Sequence, residues 1–195
     1  FVQGISLRQY LESRNQPMSF TEAWNFLLPV MEALEKVHQN KLIHRDISPD
    51  NFIIKEDGSI KLLDFGSARE YAEEKTMTVL VKKGYAPPEQ YSRKGKQGPW
   101  TDIYSICATL YEMITGVIPQ PAMERLKADK LYLPSSYGCD ITPLQEKILM
   151  KGLALDYKKR YKDIAELKNS FFPEKQERQK KNKKYGILIC TVCIL

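Results

Sequence analysis

The stretch HRDISPDN (residues 44–51) places a carboxylate, Asp46, five residues before an amide side chain, Asn51. Pro49 disfavours helical geometry at the residue before it, so the stretch is predicted to be a bent loop. In such a loop Asp46 can accept a proton from a hydroxyl group, and Asn51 can ligate a metal ion that is bound to a phosphate. The apolar run at 52–54 that follows predicts a short strand.

A second acidic side chain comes thirteen residues after Asn51, in the tripeptide Asp64-Phe65-Gly66. The apolar runs at 52–54 and 60–63 flank Glu56-Asp57-Gly58-Ser59, which is typical of a hairpin turn. The tripeptide is therefore expected at the end of a strand beside the one that follows Asn51. The order of loop, hairpin and tripeptide resembles the catalytic loop and the magnesium-binding motif of eukaryotic-type protein kinases.

The segment after the tripeptide carries a third match to that family. Residues 64–89 are polar and show little periodicity, and they end in Gly84-Tyr85-Ala86-Pro87-Pro88-Glu89. This ending resembles the Ala-Pro-Glu signature that closes a kinase activation segment, in the Pro-Pro-Glu form associated with bacterial members.

Helical periodicity surrounds these motifs. Ser19-Phe20-Thr21-Glu22 has the spacing of a capping box and predicts a long helix that ends near Asn40. Thr101 is predicted to cap a helix at 102–115, which is apolar on every face and is therefore expected to be buried. Further helical patterns lie at 122–130, 142–155 and 161–172.

The resemblance covers residues 1–172. It implies the C-terminal lobe of a protein-kinase-like fold, which is mainly α-helical with a few short β-strands.

The same resemblance implies a catalytic role for Asp46 and cofactor roles for three further residues. Asp46 would accept the proton of the substrate hydroxyl, since phosphoryl transfer needs mainly positioning and charge neutralisation. Asn51 and Asp64 would hold Mg²⁺ that bridges the phosphates of ATP, and Ile53 would pack beneath the adenine. Taken singly, each residue has a plainer interpretation: Asp46 as a surface-loop residue, Asn51 as a turn residue, Asp64 as a strand-end cap and Ile53 as a core residue.

Structural roles follow for five other residues. His44 is expected to be buried against Phe65. Asp102 is expected to bind backbone N–H groups of the catalytic loop, although an acid in the first turn of a helix is common without such a role. Glu89 is expected to pair with Arg160 in the interior.

Arg45 would bind a phosphate carried by the activation segment, at Thr76 or Thr78.

Two residues depart from the family pattern. Ser48 stands where serine/threonine kinases carry a lysine that faces the transferred phosphate, and Lys82 stands where they carry a threonine near the catalytic aspartate. We hypothesise one exchange, in which Lys82, with Lys83 as the second choice, supplies the cation that Ser48 lacks and lies near the Asp46 carboxylate. The alternative is that Lys82 is a solvated loop lysine.

Charge is concentrated near the C-terminus. The 195-residue chain is 43% apolar and has a net charge of +6, which is ordinary for a soluble globular domain. Residues 173–184 hold six Lys or Arg and two Glu, so this short linker carries +4 of that charge. The body therefore lacks the basic surface of a nucleic-acid-binding protein, and no nucleic-acid partner is expected.

The four cysteines show no spacing typical of zinc ligands.

Residues 185–195 are uncharged and mostly apolar. Their length is about half of the ~20 residues that a spanning helix needs. The basic linker at 173–184 precedes them, as on the cytoplasmic flank of membrane helices. We therefore expect residues 185–195 to begin a single membrane-spanning helix, with the kinase body on the cytoplasmic side. A C-terminal strand or core helix is the alternative.

The sequence thus predicts a membrane-tethered serine/threonine protein kinase that uses ATP and Mg²⁺, acts on protein substrates and phosphorylates itself in trans as a homodimer. The glycine-rich loop and the lysine that hold the ATP phosphates in this family are expected in a preceding lobe, so the chain alone is expected to be inactive. A pseudokinase or another non-catalytic membrane-tethered signalling module is the alternative. A small-molecule phosphotransferase would lack the Pro-Pro-Glu motif and the buried helix.

Overall fold

The computed structural model describes residues 3–63, 69–70, 81–92 and 94–171. Helices dominate this part of the chain, so the expected fold class, mainly α with a few short strands, is confirmed. The α-helices are α1 (Leu7–Ser13), α2 (Phe20–Gln39), α3 (Pro99–Thr115), α4 (Ala122–Arg125), α5 (Pro143–Gly152) and α6 (Ile164–Phe171). Short 3₁₀ helices lie at Pro49–Asn51, Pro88–Tyr91, Pro134–Tyr137 and Tyr157–Lys159.

The strands in the described residues form two small antiparallel sheets. They are β1 (Ile5–Ser6), β2 (Leu42–Ile43), β3 (Phe52–Ile54), β4 (Ile60–Leu62) and β5 (Arg69–Glu70). One sheet has the order β1-β3-β4, with Ile54 opposite both Ile5 and Ile60, and the other pairs β2 with β5. The predicted hairpin is therefore the β3–β4 connection, and Asn51, the last residue of a 3₁₀ helix, lies directly before β3.

Helix α2 leads the chain into the catalytic loop. The Ser19 hydroxyl accepts the backbone N–H of Glu22 at 3.1 Å, and the helix ends at Gln39 with Asn40 as its C-cap, as its pattern predicted. Its apolar face is buried and packs mainly against α3. Burial of this face anchors the end of α2, from which β2 and residues 44–51 follow directly.

Helix α3 forms the centre of the core, because every residue from Thr101 to Thr115 is buried. It begins at Pro99 with Gly98 as its N-cap, so the predicted cap at Thr101 was wrong. Proline favours the first position of a helix, and this preference outweighs the capping preference of threonine here. The Thr101 hydroxyl instead accepts the N–H of Gly98 at 3.2 Å and donates to Glu89 Oε1 at 3.1 Å.

The later helices are shorter than their patterns at 122–130, 142–155 and 161–172 predicted. Helix α4 stops at Arg125, whose guanidinium binds the Asp129 carboxylate at 2.9 and 3.0 Å. Asp129 also accepts the N–H of Leu131 at 3.2 Å. Such a local bond from an aspartate to the backbone competes with helix continuation, which explains the early end of α4.

Within the ranges that the structure describes, no helix is long and apolar enough to cross a bilayer. The linker at 173–184 and the apolar run at 185–195 lie outside those ranges.

Candidate active site

The loop at 44–51 joins Asp46 and Asn51 by a direct hydrogen bond. Asn51 Nδ2 donates to the backbone carbonyl of Asp46 at 2.7 Å, and the Asn51 N–H bonds to the Ser48 carbonyl at 2.9 Å. The amide nitrogen is thereby used within the loop, which leaves Oδ1 as the Asn51 atom that can ligate a cation. Oxygen is the ligand that Mg²⁺ prefers, so this orientation fits the family's use of the residue.

Asp102 of α3 holds the loop from the core side. Its fully buried carboxylate accepts the backbone N–H groups of His44 and Arg45, each at 2.8 Å, and His38 Nε2 lies 2.8 Å from Oδ2. Hydrogen bonds to an ionised carboxylate are stronger than neutral ones, so these contacts strongly restrain the backbone that leads into Asp46. The third partner, His38, lies in the last turn of α2.

The loop is also tied to the end of β4. His44 is fully buried and its Nε2 lies 3.1 Å from the carbonyl oxygen of Leu63, the residue before Asp64. Ile53, which the sequence placed beneath the adenine, is half-buried in β3, opposite Ser6 and Lys61. Four of the predicted site residues lie outside the described ranges: Asp64, Phe65, Thr76 and Thr78.

In the described part of the chain no three His, Cys, Asp or Glu side chains cluster closely enough to hold a metal ion. Asp64, which the resemblance pairs with Asn51 as a magnesium ligand, is not among those residues.

The end of the activation segment is held against α3 and the chain that precedes α6. Glu89 and Arg160 are both nearly fully buried, at 8% and 4% exposure. The Arg160 side chain also donates to the carbonyls of Ala154, Trp100 and Leu155, at 2.6, 3.1 and 3.0 Å. With two bonds to Glu89, every guanidinium N–H of Arg160 has an acceptor, which is the arrangement that makes a buried charge tolerable.

Lys82 binds the catalytic loop through a different aspartate from the one expected. Its Nζ lies 2.9 Å from Asp50 Oδ2, and Arg8 Nε lies 3.5 Å from Asp50 Oδ1. Although partial burial would raise the pKa of Asp50, the two cations lower that pKa below its ordinary value. Asp50 therefore stays charged. It binds the Lys82 ammonium at a position four residues after Asp46 in the loop. Lys83, in contrast, is exposed.

Arg8 extends this ion pair into a network that reaches α3. Its guanidinium pairs with Glu112 and donates to the Tyr85 hydroxyl, which itself donates to Glu112. Burial and the neighbouring Glu112 carboxylate raise the pKa of Tyr85. The sequence reasoning missed Arg8, Asp50 and Glu112, although Glu112, an acidic residue near the end of the mostly apolar helix α3, was a usable signal.

Ser48 is fully buried, and its hydroxyl has no hydrogen-bond partner among the described residues.

Sequence reasoning also missed Gln90, which follows the Pro-Pro-Glu motif. Its buried side-chain amide donates from Nε2 to the backbone carbonyl of Arg45 at 2.7 Å.

Comparison with known proteins matches this arrangement to one family. The model of the family described as "Protein kinase domain" matches residues 1–170. The chain is 31% identical to the probable serine/threonine-protein kinase PknB of Lactococcus lactis and 32% identical to the serine/threonine-protein kinase PrkC of Bacillus subtilis. These matches cover 86% and 88% of the chain and 28% of each relative. Among solved structures, "PpkA-294 apo form" matches with a TM-score of 0.72 and 30% identity, over 87% of this chain and 60% of that one.

The fold and the loop define a protein kinase domain. The chain belongs to the serine/threonine protein kinase family of the bacterial eukaryotic type, similar to PknB and PrkC, and the kinase domain covers most of it. The family uses ATP and Mg²⁺ and acts on protein substrates. The chain spans less than a third of the length of the two curated relatives.

Proposed function

We propose that this chain carries the catalytic loop and the substrate-binding side of a serine/threonine protein kinase. The observation that carries the proposal is the hydrogen bond from Asn51 to the Asp46 carbonyl, in a loop that Asp102 anchors to the core. This hydrogen bond fixes the position of Asn51, the proposed metal ligand, relative to Asp46, the proposed base. Correct positioning of the reacting groups accounts for much of the catalysis of phosphoryl transfer.

Asp46 orients the substrate hydroxyl and takes its proton while the hydroxyl oxygen bonds to the γ-phosphorus and the bond to the ADP oxygen breaks. Asn51, through Oδ1, and Asp64 hold Mg²⁺, which neutralises charge on the phosphates. Ile53 packs against the adenine, and Arg45 binds a phosphorylated activation segment at Thr76 or Thr78.

Activity is expected to need a nucleotide-binding lobe joined to residues 1–195, because these residues include no counterpart of the family's glycine-rich loop and phosphate-binding lysine. We call a polypeptide that joins such a lobe to residues 1–195 the lobe-completed polypeptide.

The test is phosphate transfer from labelled ATP to a protein acceptor, with and without Mg²⁺. The lobe-completed polypeptide is expected to form phosphoserine or phosphothreonine only with Mg²⁺, and the chain alone to form none. Transfer by the chain alone would contradict the need for a second lobe. A lobe-completed polypeptide that binds ATP but transfers nothing would favour the pseudokinase alternative.

We also propose that residues 173–195 attach the kinase body to a membrane. The support is the uncharged run at 185–195 behind a linker with a charge of +4. The chain is expected to sediment with vesicles that contain anionic lipid, and a chain that ends at Phe172 is expected to stay in the supernatant. Equal sedimentation of the two chains would show that residues 173–195 do not attach the kinase body to the membrane.

Autophosphorylation in trans by a homodimer is part of the same proposal. Its rate per molecule should rise with the concentration of the lobe-completed polypeptide, whereas a reaction within one molecule is independent of concentration.

A further inference from the structure

Arg45, the residue before the proposed catalytic Asp46, has an unfavourable backbone conformation. Its φ angle is +72°, in the left-handed region that residues with a Cβ atom rarely adopt. A residue keeps such a conformation only where its surroundings fix it. The groups that hold Arg45 therefore also determine how the following peptide plane, and with it Asp46, is oriented.

Contacts from three separate parts of the described fold hold Arg45. Asp102 of α3 accepts its backbone N–H at 2.8 Å, and Gln90 Nε2 donates to its backbone carbonyl at 2.7 Å. Its Nε donates to Gln97 Oε1 at 2.8 Å. The contact from Gln90 acts on the carbonyl of the Arg45–Asp46 peptide bond, so it restrains rotation of that peptide plane, whereas the contact from Asp102 restrains the N–H side of Arg45.

The backbone that carries Gln90 is held in place by its surroundings. It belongs to the 3₁₀ helix Pro88–Tyr91, and its neighbour Glu89 is held by the buried guanidinium of Arg160. Its own side chain is almost fully buried, at 4% exposure. The donor is therefore presented from the end of the activation segment with little freedom to move.

The hydrogen bonding of Gln90 is incomplete, since Oε1 has no partner among the described residues. A flipped amide would place an oxygen against the Arg45 carbonyl, so the observed orientation is the one that fits. A buried amide that leaves one polar atom unsatisfied stabilises a fold poorly, and an apolar side chain of similar size would avoid this penalty. The presence of glutamine here is better explained by the single bond it donates.

We propose that Gln90 is a positioning residue for Asp46. It fixes the Arg45–Asp46 peptide plane from the end of the activation segment, so that order in this segment is transmitted to the catalytic carboxylate. The inference rests on the proposed function for its effect on rate, whereas its effect on the loop can be measured without activity.

The test compares Gln90→Leu and Gln90→Glu with wild type and with Gln120→Leu as a matched control. Gln120 also donates from its side-chain amide to a backbone carbonyl, that of Ala128 at 3.2 Å, in the region of α4. Amide hydrogen exchange in the 195-residue chain is the first readout. Exchange across 44–51 is expected to become about tenfold faster in both Gln90 variants and to stay unchanged in Gln120→Leu.

The second readout is kinetic, in the lobe-completed polypeptide. Both Gln90 variants are expected to lose about tenfold in kcat, equivalent to ~1.4 kcal/mol in the activation barrier, while the KM for ATP stays within about twofold. Unchanged exchange in the 44–51 loop overturns the proposal. So does a rise in KM at unchanged kcat, because that would mean a loss of ATP binding.

The use of two variants keeps the test decisive if one of them fails to fold. If the wild-type lobe-completed polypeptide transfers no phosphate, the proposed function fails, and the exchange measurement still tests the positioning of the loop by Gln90.

Discussion

Arg160 and Glu89 form a bidentate buried ion pair, with Nη1 2.7 Å from Oε1 and Nη2 3.0 Å from Oε2. The pair joins the end of the activation segment to the chain just before α6, residues that are 71 positions apart. Because both side chains are almost inaccessible to water, neither charge can be solvated if its partner is lost.

The first prediction follows from that relationship. Glu89→Ala and Arg160→Ala should each lower the free energy of unfolding by roughly 3–5 kcal/mol, since each leaves an unpaired buried charge. The double variant should cost much less than the sum of the two. Urea unfolding of the four forms measures this coupling.

Lys168→Ala provides the control for the first prediction, because Lys168 pairs with Glu35 at 2.8 Å on a more exposed surface. It should cost less than about 1 kcal/mol. Additive effects of that small size at Glu89 and Arg160 would contradict the buried pair.

The second prediction concerns the proposed base. In the lobe-completed polypeptide, Asp46→Asn should slow phosphate transfer by roughly 10²–10⁴-fold, the scale of a lost general base. Binding of ATP should be nearly unchanged, because the role of Asp46 is toward the substrate hydroxyl. Single-turnover rates and a nucleotide-binding titration separate the two effects, and a rate within a factor of a few of wild type would exclude the role.

The sequence was sufficient to predict the parts of the site that depend on local order along the chain. The loop at 44–51, the β3–β4 hairpin and the buried helix α3 all follow from spacing, turn residues and periodicity. The first residue of α3 did not, because the preference of Pro99 for the first helical position competes there with the capping preference of Thr101.

Contacts between distant residues were the part that the sequence alone could not supply. The reach of Lys82 to Asp50 and of Gln90 to the Arg45 carbonyl depends on how the end of the activation segment packs on the loop. The family pattern singled out Lys82 but pointed to Asp46 as its partner, and Gln90 has no distinctive sequence pattern. The Glu89 and Arg160 contact was expected only through resemblance to the family.

The third prediction tests the tight contact between α5 and α3. A Cβ atom at Gly152 would lie 2.2 Å from Cys107 Sγ, and Cys107 is fully buried. Gly152→Ala should therefore destabilise the chain by about 1–3 kcal/mol through overpacking.

Cys107→Ala removes the clashing sulfur, so the double variant should be more stable than the sum of the two single changes predicts. A cycle of four urea unfolding curves measures this compensation. Strict additivity would mean that α3 and α5 do not meet at this point.

The fourth prediction concerns pH. Lys82 and Arg8 hold the pKa of Asp50 below its ordinary value despite partial burial. A carboxyl group whose pKa is depressed in the folded state stabilises that state above its unfolded pKa, and the gain is lost as pH falls through the folded value. Asp50→Asn should therefore cost about 0.5–1 kcal/mol between pH 5 and 8, as expected for a partly exposed pair, and progressively less below about pH 4. The measurement is urea unfolding of both forms at several pH values, and a cost independent of pH would contradict the ion pair.

The last prediction concerns Lys82 and Ser48, the two departures from the family pattern. The structure places the Lys82 ammonium on Asp50, next to Asn51 in the catalytic loop. A cation near this loop can stabilise the charge that develops on the transferred phosphate, which is the role of the lysine that the family carries at position 48. Lys82→Thr should therefore lower kcat in the lobe-completed polypeptide by about 10–100-fold.

Ser48→Lys should restore much of the rate that Lys82→Thr loses, because it returns a cation to the loop itself. Lys83→Thr is the matched control, since Lys83 is the exposed neighbour, and it should leave kcat unchanged. Asp50→Asn separates charge from placement, because it keeps the Lys82 cation but removes the partner that holds it. Its kcat should lie between those of wild type and Lys82→Thr. Equal kcat in wild type, Lys82→Thr and the double variant would show that Lys82 is a surface lysine whose ion pair with Asp50 has no part in the reaction.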